Sequence, residues 1–416
     1  MSAAAQAPTG APPLTDSPYA AYRLGITLLL MTIGNVGMYV VAVVLPAVQA
    51  EFGVARGNAS LPYTLLMIGF GTGGVLMGRL ADRFGVMVPL LIGGVSLGAG
   101  FTLAGLSGSI WSFMLIHGVF IGLLGCSTTF APLIADTSLW FVRRRGIAVA
   151  ICASGNYLAG TIWPPFVQHF VETIGWRTTY FWLAGFTTVS MCTLAVLMRR
   201  RPPALAAAGP AVPGSTHASD RPFGLTPGQA QALLCVAGVA CCVAMAMPQV
   251  HIVAYCGDLG YGAARGAQML SIMLGFGIIS RLISGVICDR IGGMRTLLLG
   301  SVLQGVALLL FLPFDSLVSL YVVSALFGLF QGGIVPSYAI IVREYFAPKE
   351  AGARVGTVIM CTLLGMALGG WMSGVVFDLT GSYKAAFING IVWNLVNVSI
   401  ALFLLNRALG AERRSR

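Results

Sequence analysis

Charge is what this sequence has least of. Only 9% of its 416 residues are Asp, Glu, Lys or Arg, against about 25% in a soluble globular chain. An ordinary soluble domain is therefore excluded. Carboxylates are scarcest: there are 13, and each falls in a loop or near the end of an apolar stretch. No acidic trap for an organic cation is available at mid-stretch. The nine cysteines contain no C-x-x-C pair and read as small packing residues, so neither a disulfide framework nor a metal site is expected. Paired carboxylates, metal-spaced His or Cys clusters and nucleophile motifs are missing from the apolar stretches, which argues against an embedded enzyme and against a cofactor. The first 20 residues have neither a basic n-region nor an apolar h-region, and read as a disordered tail rather than a cleaved signal peptide.

What the chain has instead is hydrophobic length. Hydrophobic residues make up 57%, and twelve apolar stretches, from Gly25–Ala47 to Ala385–Leu405, are each long enough to span a bilayer at about 20 residues. The reading is an all-α membrane protein with twelve transmembrane helices. The net charge of +11 could suggest nucleic acid, but its distribution argues otherwise. With the N-terminus in the cytoplasm and alternating spans, 19 of the 24 basic residues fall on the cytoplasmic side and four, Arg56, Arg177, Arg265 and Lys384, on the other. Arg281 is the remaining one. This is the positive-inside pattern and puts both termini in the cytoplasm. The arginine-rich, lysine-poor usage points to a bacterial inner membrane. The bilayer is thus a partner and nucleic acid is not.

The chain is also a duplication. GRLADRFG, from Gly78 to Gly85, matches GVICDRIG, from Gly285 to Gly292, with Asp82 and Asp289 207 residues apart. WFVRRRGIA matches YFAPKEAGA with Phe141 and Phe346 205 apart, and GWRTTY matches GSYKAAF with Gly175 and Gly381 206 apart. Three weak matches at nearly one offset imply two six-helix units. The expected layout is a tail over 1–20, a six-helix bundle over 21–198, a Pro/Ala/Gly-rich linker over 199–226, a second bundle over 227–407 and a tail over 408–416. Gly69/Gly73, Gly74/Gly78, Gly365/Gly369 and Gly370/Gly374 repeat at the spacing that lets helices pack closely in lipid.

Twelve spans in two halves, with G-x-L-A-D-R-x-G between spans 2 and 3, resemble the major facilitator superfamily over Gly25 to Leu405. The resemblance implies two pseudosymmetric six-helix bundles around a central cavity, lined by spans 1, 4, 7 and 10 with help from 5, 8 and 11. It makes Gly78, Asp82, Arg83, Gly85, Asp289 and Arg290 a conformational lock. Val86 and Met87 stand where the family often has basic residues, so part of that lock is missing. Within the superfamily, EFGVARG (Glu51 to Gly57), HIVAYCGDLG (His251 to Gly260), SRLISG around Arg281 and DLTGSYKAAF (Asp378 to Phe387) are most similar to the monocarboxylate-transporter group and its bacterial relatives, which include oxalate/formate exchangers.

That resemblance makes Arg281 the substrate-carboxylate binder. The bottom-up reading agrees. Arg281 lies eight residues inside Asp289, about 12 Å along a helix, where an arginine costs about 2.5–3.5 kcal/mol on insertion scales and so is expected to face a water-filled path. A guanidinium there is a permanently charged fork for a carboxylate. The bland alternative is pairing with helix-end carbonyls or snorkelling. Span 11 lacks the second cation of the oxalate/formate exchangers, which suits one carboxylate better than two. Animal monocarboxylate carriers have an aspartate one turn before the arginine; here that residue is Gly277. His251 is then the favoured substrate hydrogen-bonder, while His117 reads as packed. Asn35, Tyr157 and Tyr338 complete the candidate set, and Gln331 and Asn156 suit interhelical hydrogen bonds. The expected function is secondary transport of a small organic anion, a monocarboxylate with proton symport, by alternating access in a monomer. The alternative is a multidrug or metabolite exporter working by proton antiport. A receptor would need a sizeable cytoplasmic domain, and the linker and tails offer none.

Overall fold

The structure, a computed structural model, describes residues 15–141, 145–201 and 222–415. Twelve helices are long and apolar enough to cross a membrane: α1 Pro18–Phe52, α2 Arg56–Phe84, α3 Met87–Gly105, α4 Ile110–Trp140, α5 Gly146–Ile174 and α6 Trp176–Leu197, then α7 Pro227–Asp258, α8 Ala263–Ile291, α9 Gly293–Leu310, α10 Leu317–Tyr345, α11 Gly352–Thr380 and α12 Tyr383–Gly410. The termini and the α2–α3 and α8–α9 turns share one end, called here the terminal end; the α1–α2, α7–α8 and α11–α12 turns form the far end.

Local sequence sets the boundaries. The Ser17 and Ser109 hydroxyls accept from the backbone N–H groups of Ala20 and Ser112, both at 3.2 Å. Thr226 and Gln229 form a reciprocal capping box ahead of α7, with Pro227 at the first helical position. Gly85 and Gly292 end α2 and α8 at φ 86° and 83°, a left-handed region that favours glycine. The two copies of the repeated motif thus share a backbone device as well as a sequence.

Helices α1–α6 and α7–α12 form two bundles, joined mainly by α2 on α11 and α5 on α8. The repeated glycines divide by role. A Cβ at Gly69 or Gly73 would collide with the carbonyls of Gly118 or Leu123 on α4, and one at Gly365 or Gly369 would meet the Val239 or Val243 carbonyl on α7 at 2.5 Å. These pairs hold each bundle together. A Cβ at Gly374 would lie 2.9 Å from the Arg56 carbonyl and Gly57 Cα, and one at Gly370 2.8 Å from Tyr63. Those two close the seam between bundles at the far end. Gly78, by contrast, meets nothing.

Several expectations change. α1 begins at Pro18, not after residue 20, because Arg23 is neutralised inside the bundle: its guanidinium pairs with Asp136 at 2.9 Å and donates to the Met198 carbonyl at 3.3 Å. The tail expected over 408–416 is helical to Ser415. Residues 1–14 of the expected first tail and 202–221 of the linker lie outside the described residues. α4 and α10 are also broken near mid-span, α4 by a π-helical stretch, His117–Leu123, and a turn at Gly125, and α10 at Gly332–Gly333. α1 is interrupted at Asn35.

Candidate functional site

Between the bundles lies a cavity of about 870 Å³. Helices α1, α2, α4, α5, α7, α8, α10 and α11 line it, so the lining helices that the family resemblance implies are all present and α2 is added. It runs to Gly146, Arg343 and Gly356 at the terminal end. Its walls are mostly aliphatic, aromatic and thioether side chains, and among the described residues no Asp, Glu or His lines it.

Arg281 lies on this wall. Its Nη1 donates to the Ala153 carbonyl at 3.0 Å, and its guanidinium carbon sits 4.3 Å from the Tyr157 ring centroid. Both partners belong to α5, so the side chain reaches across from one bundle to the other. Nε is buried and has no hydrogen-bond partner among the described residues. The guanidinium faces no carboxylate: its neighbours are a carbonyl and a ring face. Two glycines make this possible. A Cβ at Gly277 would lie 2.6 Å from Tyr157 Cε1, and one at Gly160 would lie 2.7 Å from Tyr39 Cζ. The space left by a missing side chain one turn before Arg281 is filled by the Tyr157 ring.

Two polar pairs on or beside the wall are already engaged. The Tyr39 hydroxyl donates to Asn156 Oδ1 at 3.2 Å, and Gln249 Nε2 donates to Gln331 Oε1 at 3.1 Å. Asn156 and Gln331 thus make the interhelical bonds anticipated from sequence, though Asn156 also lines the cavity.

Of the five candidate binding residues, the structure brings Arg281 and Tyr157 together and places three elsewhere. Asn35 is fully buried at the α1 break, its Nδ2 donating to the Met31 carbonyl at 2.7 Å. Tyr338 is fully buried and donates to Asn397 Oδ1 at 2.9 Å; Asn397 in turn donates to Ser301 Oγ at 2.7 Å. Broken α10 turns Tyr338 toward α9 and α12 rather than inward. His251 is fully buried, with Nε2 2.7 Å from the Gly370 carbonyl and Nδ1 3.0 Å from the Tyr383 hydroxyl. A carbonyl only accepts, so Nε2 carries the proton and Nδ1 accepts from Tyr383. Both ring nitrogens are spent in this state, and neither is offered to the cavity. His117 is packed as anticipated, 2.8 Å from the Phe113 carbonyl and 3.1 Å from the Tyr180 hydroxyl.

His251 belongs to a clasp that closes the far end. Arg56 Nη1 donates to Asp258 Oδ2 at 2.6 Å and to the Tyr383 hydroxyl at 2.9 Å, and Nε donates to Gln49 Oε1 at 2.7 Å. Asp378 accepts from the backbone N–H groups of Arg56 and Gly57 at 2.8 and 2.7 Å. A carboxylate of α11 therefore caps the N-terminus of α2 across the bundle seam, a favourable place for negative charge. The sequence reading missed this clasp, although EFGVARG, HIVAYCGDLG and DLTGSYKAAF contain Arg56, Asp258, Asp378 and Tyr383. An arginine in one half's far-end loop facing aspartates in the other half was the available signal.

At the terminal end the motif residues Asp82, Arg83, Asp289 and Arg290 are exposed, and among the described residues none of them is in an ion pair. Asp82 and Gly85 line a small cleft of about 260 Å³ with Asp136 and Arg201. Gly78 stands on the open side of α2. The far end is clasped, while among the described residues no ion pair fastens the motif residues of the terminal end.

The family model of the Major Facilitator Superfamily matches residues 27–319 and 282–416. The chain belongs to this superfamily. It is accordingly a membrane transporter rather than an enzyme. It is 27% identical over 313 residues to "Monocarboxylate transporter 13" of Bos taurus, covering 74% of this chain and 71% of that protein. It is 22% identical over 337 residues to "Agnestins efflux protein AgnL12" of Paecilomyces divaricatus, covering 80% and 75%. Among solved structures, a bacterial homolog to human lysosomal transporter Spinster, described as inward-facing and unoccupied, superposes with a TM-score of 0.68 at 15% identity, covering 95% of this chain and 96% of that one. That likeness supports the superfamily fold alone.

Proposed function

We propose that this superfamily member carries small organic anions, monocarboxylates, by alternating access around Arg281. The observation that carries the reading is the Arg281 guanidinium on the wall of a largely apolar cavity, stacked on Tyr157 and without a carboxylate partner among the described residues. A bound carboxylate supplies the missing counter-charge, and a charge-assisted pair is roughly twice as strong as a neutral hydrogen bond. Organic cations find no acidic group on the wall to hold them.

Proton symport is the coupling we favour. An anion moved inward alone works against about 2.3 kcal/mol per 100 mV of inside-negative potential, and one accompanying proton cancels this. Among the described residues no Asp, Glu or His lines the cavity, so the wall itself offers neither a carboxylate nor an imidazole to carry that proton beside the Arg281-bound carboxylate. The working location is a bacterial inner membrane, from the arginine-rich and lysine-poor usage, with both termini cytoplasmic on the strength of the 19-to-4 charge split. The cavity lies within one chain, so a monomer suffices for the cycle. The name of the efflux relative keeps a second reading open, export of metabolites or drugs; the lack of acidic wall residues weighs against cationic cargo.

The test is uptake into proteoliposomes. Radiolabelled monocarboxylates should accumulate when the lumen is made alkaline, and Arg281→Gln should abolish accumulation. Uptake unaffected by that substitution would sink the reading.

A further inference from the structure

The wall around Arg281 says more about the cargo than its charge. Tyr157 lies against Gly277 of the guanidinium's own helix, and Tyr39 lies against Gly160 of α5. Phe70 and Phe130 add a second aromatic pair, with centroids 5.9 Å apart, and Met360 and Met366 present thioethers from α11. Ring faces stack on planar apolar groups, and unbranched thioethers adapt to irregular ones. Two of the polar pairs on or beside the wall are already engaged, Tyr39 with Asn156 and Gln249 with Gln331. The other cation on the wall, Arg343, is exposed near the mouth. A short hydroxy or keto acid would leave the rings facing water and would compete with existing bonds for its hydroxyl or keto oxygen. The cavity volume also falls within the ~300–1,000 Å³ range of sites for drug-sized ligands.

We propose that the preferred cargo is a monocarboxylate with a bulky planar apolar body, an aryl or indolyl acid, whose carboxylate meets Arg281 while its ring lies against Tyr157, Tyr39 and the facing thioethers. The proposal rests on the carboxylate-carrier reading and adds a rank order to it. The aromatic body supplies the discrimination and the arginine supplies the requirement for one carboxylate.

The experiment is ligand binding to the purified full-length chain, read as apparent affinity from thermal stabilisation. The probes are indole-3-acetate, phenylacetate, lactate, pyruvate, uncharged 3-methylindole and the cation tryptamine. Indole-3-acetate and phenylacetate should bind at least about tenfold more tightly than lactate or pyruvate. Removing the carboxylate, as in 3-methylindole, should weaken binding by a similar factor, and tryptamine should not bind. Arg281→Gln should lose the aryl acids, and Arg281→Lys, which keeps the charge but not the planar fork, should bind them at least fivefold more weakly. The ranking among acids is read on the unaltered protein, so it stands even if a variant fails to fold. Lactate or pyruvate binding as tightly as the aryl acids, with dependence on Arg281, overturns this proposal and leaves the carboxylate reading standing. Tryptamine or 3-methylindole binding as well as indole-3-acetate, or no acid binding at all, overturns both.

Discussion

The Arg281 guanidinium carbon lies 4.3 Å from the centroid of the Tyr157 ring, across the seam between the two bundles. A cation over a ring face is worth about 0.5–1 kcal/mol when exposed and about 2 kcal/mol or more when desolvated. The stack also fixes where the guanidinium stands before cargo arrives. Tyr157→Ala should therefore weaken carboxylate binding by about 5- to 30-fold, the equivalent of about 1–2 kcal/mol. Tyr157→Phe, which keeps the ring, should stay within about threefold of the parent. Affinity measured by thermal stabilisation checks both.

Gly277 sets the position of that ring. A Cβ there would lie 2.6 and 2.7 Å from Tyr157 Cε1 and Cδ1, and overpacking of this kind typically costs about 1–3 kcal/mol. Gly277→Ala should push the ring off the arginine and weaken binding about as much as Tyr157→Ala. If both substitutions act through the same ring, the double variant should bind no worse than Tyr157→Ala alone. Additive losses in that double-mutant cycle would show that Gly277 acts elsewhere.

The far-end clasp has unequal parts. Asp258 is 36% exposed, so its pair with Arg56 should be worth at most about 1 kcal/mol. Asp378 accepts two backbone N–H groups at a helix N-terminus, and hydrogen bonds to charged groups are worth about 1.5–3 kcal/mol. Asp378→Ala should thus open the far end more than Asp258→Ala does. Labelling rates of a single engineered cysteine near that end, with an impermeant reagent from outside, should rise in the order parent, Asp258→Ala, Asp378→Ala. His251→Phe should also raise labelling, through loss of Tyr383, with little change in cargo affinity.

Two ion pairs in the first bundle separate stability from exposure. Arg23 and Asp136 have side chains 3% and 7% exposed, whereas Arg177 and Glu51 are 34% and 40% exposed. Stranding one buried partner costs about 3–5 kcal/mol, and breaking an exposed pair less than about 1 kcal/mol. Asp136→Asn should lower the melting temperature sharply and reduce yield. Glu51→Gln should shift it only slightly; part of that shift would come from Trp176, whose Nε1 also donates to Glu51 at 2.5 Å.

Much of this architecture was legible because bilayer physics is strict. An apolar run of span length has few alternatives to a helix, and the 207-residue spacing of Asp82 and Asp289 exposes the duplication. Arg281 was legible for the same reason, as a charge where charge is costly. What stayed hidden depended on helix rotation and on distant contacts. Tyr338 and Asn35 read as central by depth and His251 by its place on a cavity-lining helix, yet the breaks in α10 and α1 and the pull of Tyr383 turn them away from the cavity. The clasp joins Arg56 to Asp258 across 202 residues and to Asp378 across 322, which no local pattern signals. The Tyr157 ring over Arg281 depended on an absence, the missing side chain of Gly277, whose consequence appears only when α5 and α8 are packed together.

The most direct test of the central claim is calorimetric titration of a monocarboxylate into the purified protein and into Arg281→Gln. Saturable binding to the parent that falls at least about a hundredfold in the variant, while both melt within a few degrees of each other without ligand, is the predicted result. Equal binding to both, at equal stability, would contradict the assignment of Arg281 as the carboxylate site.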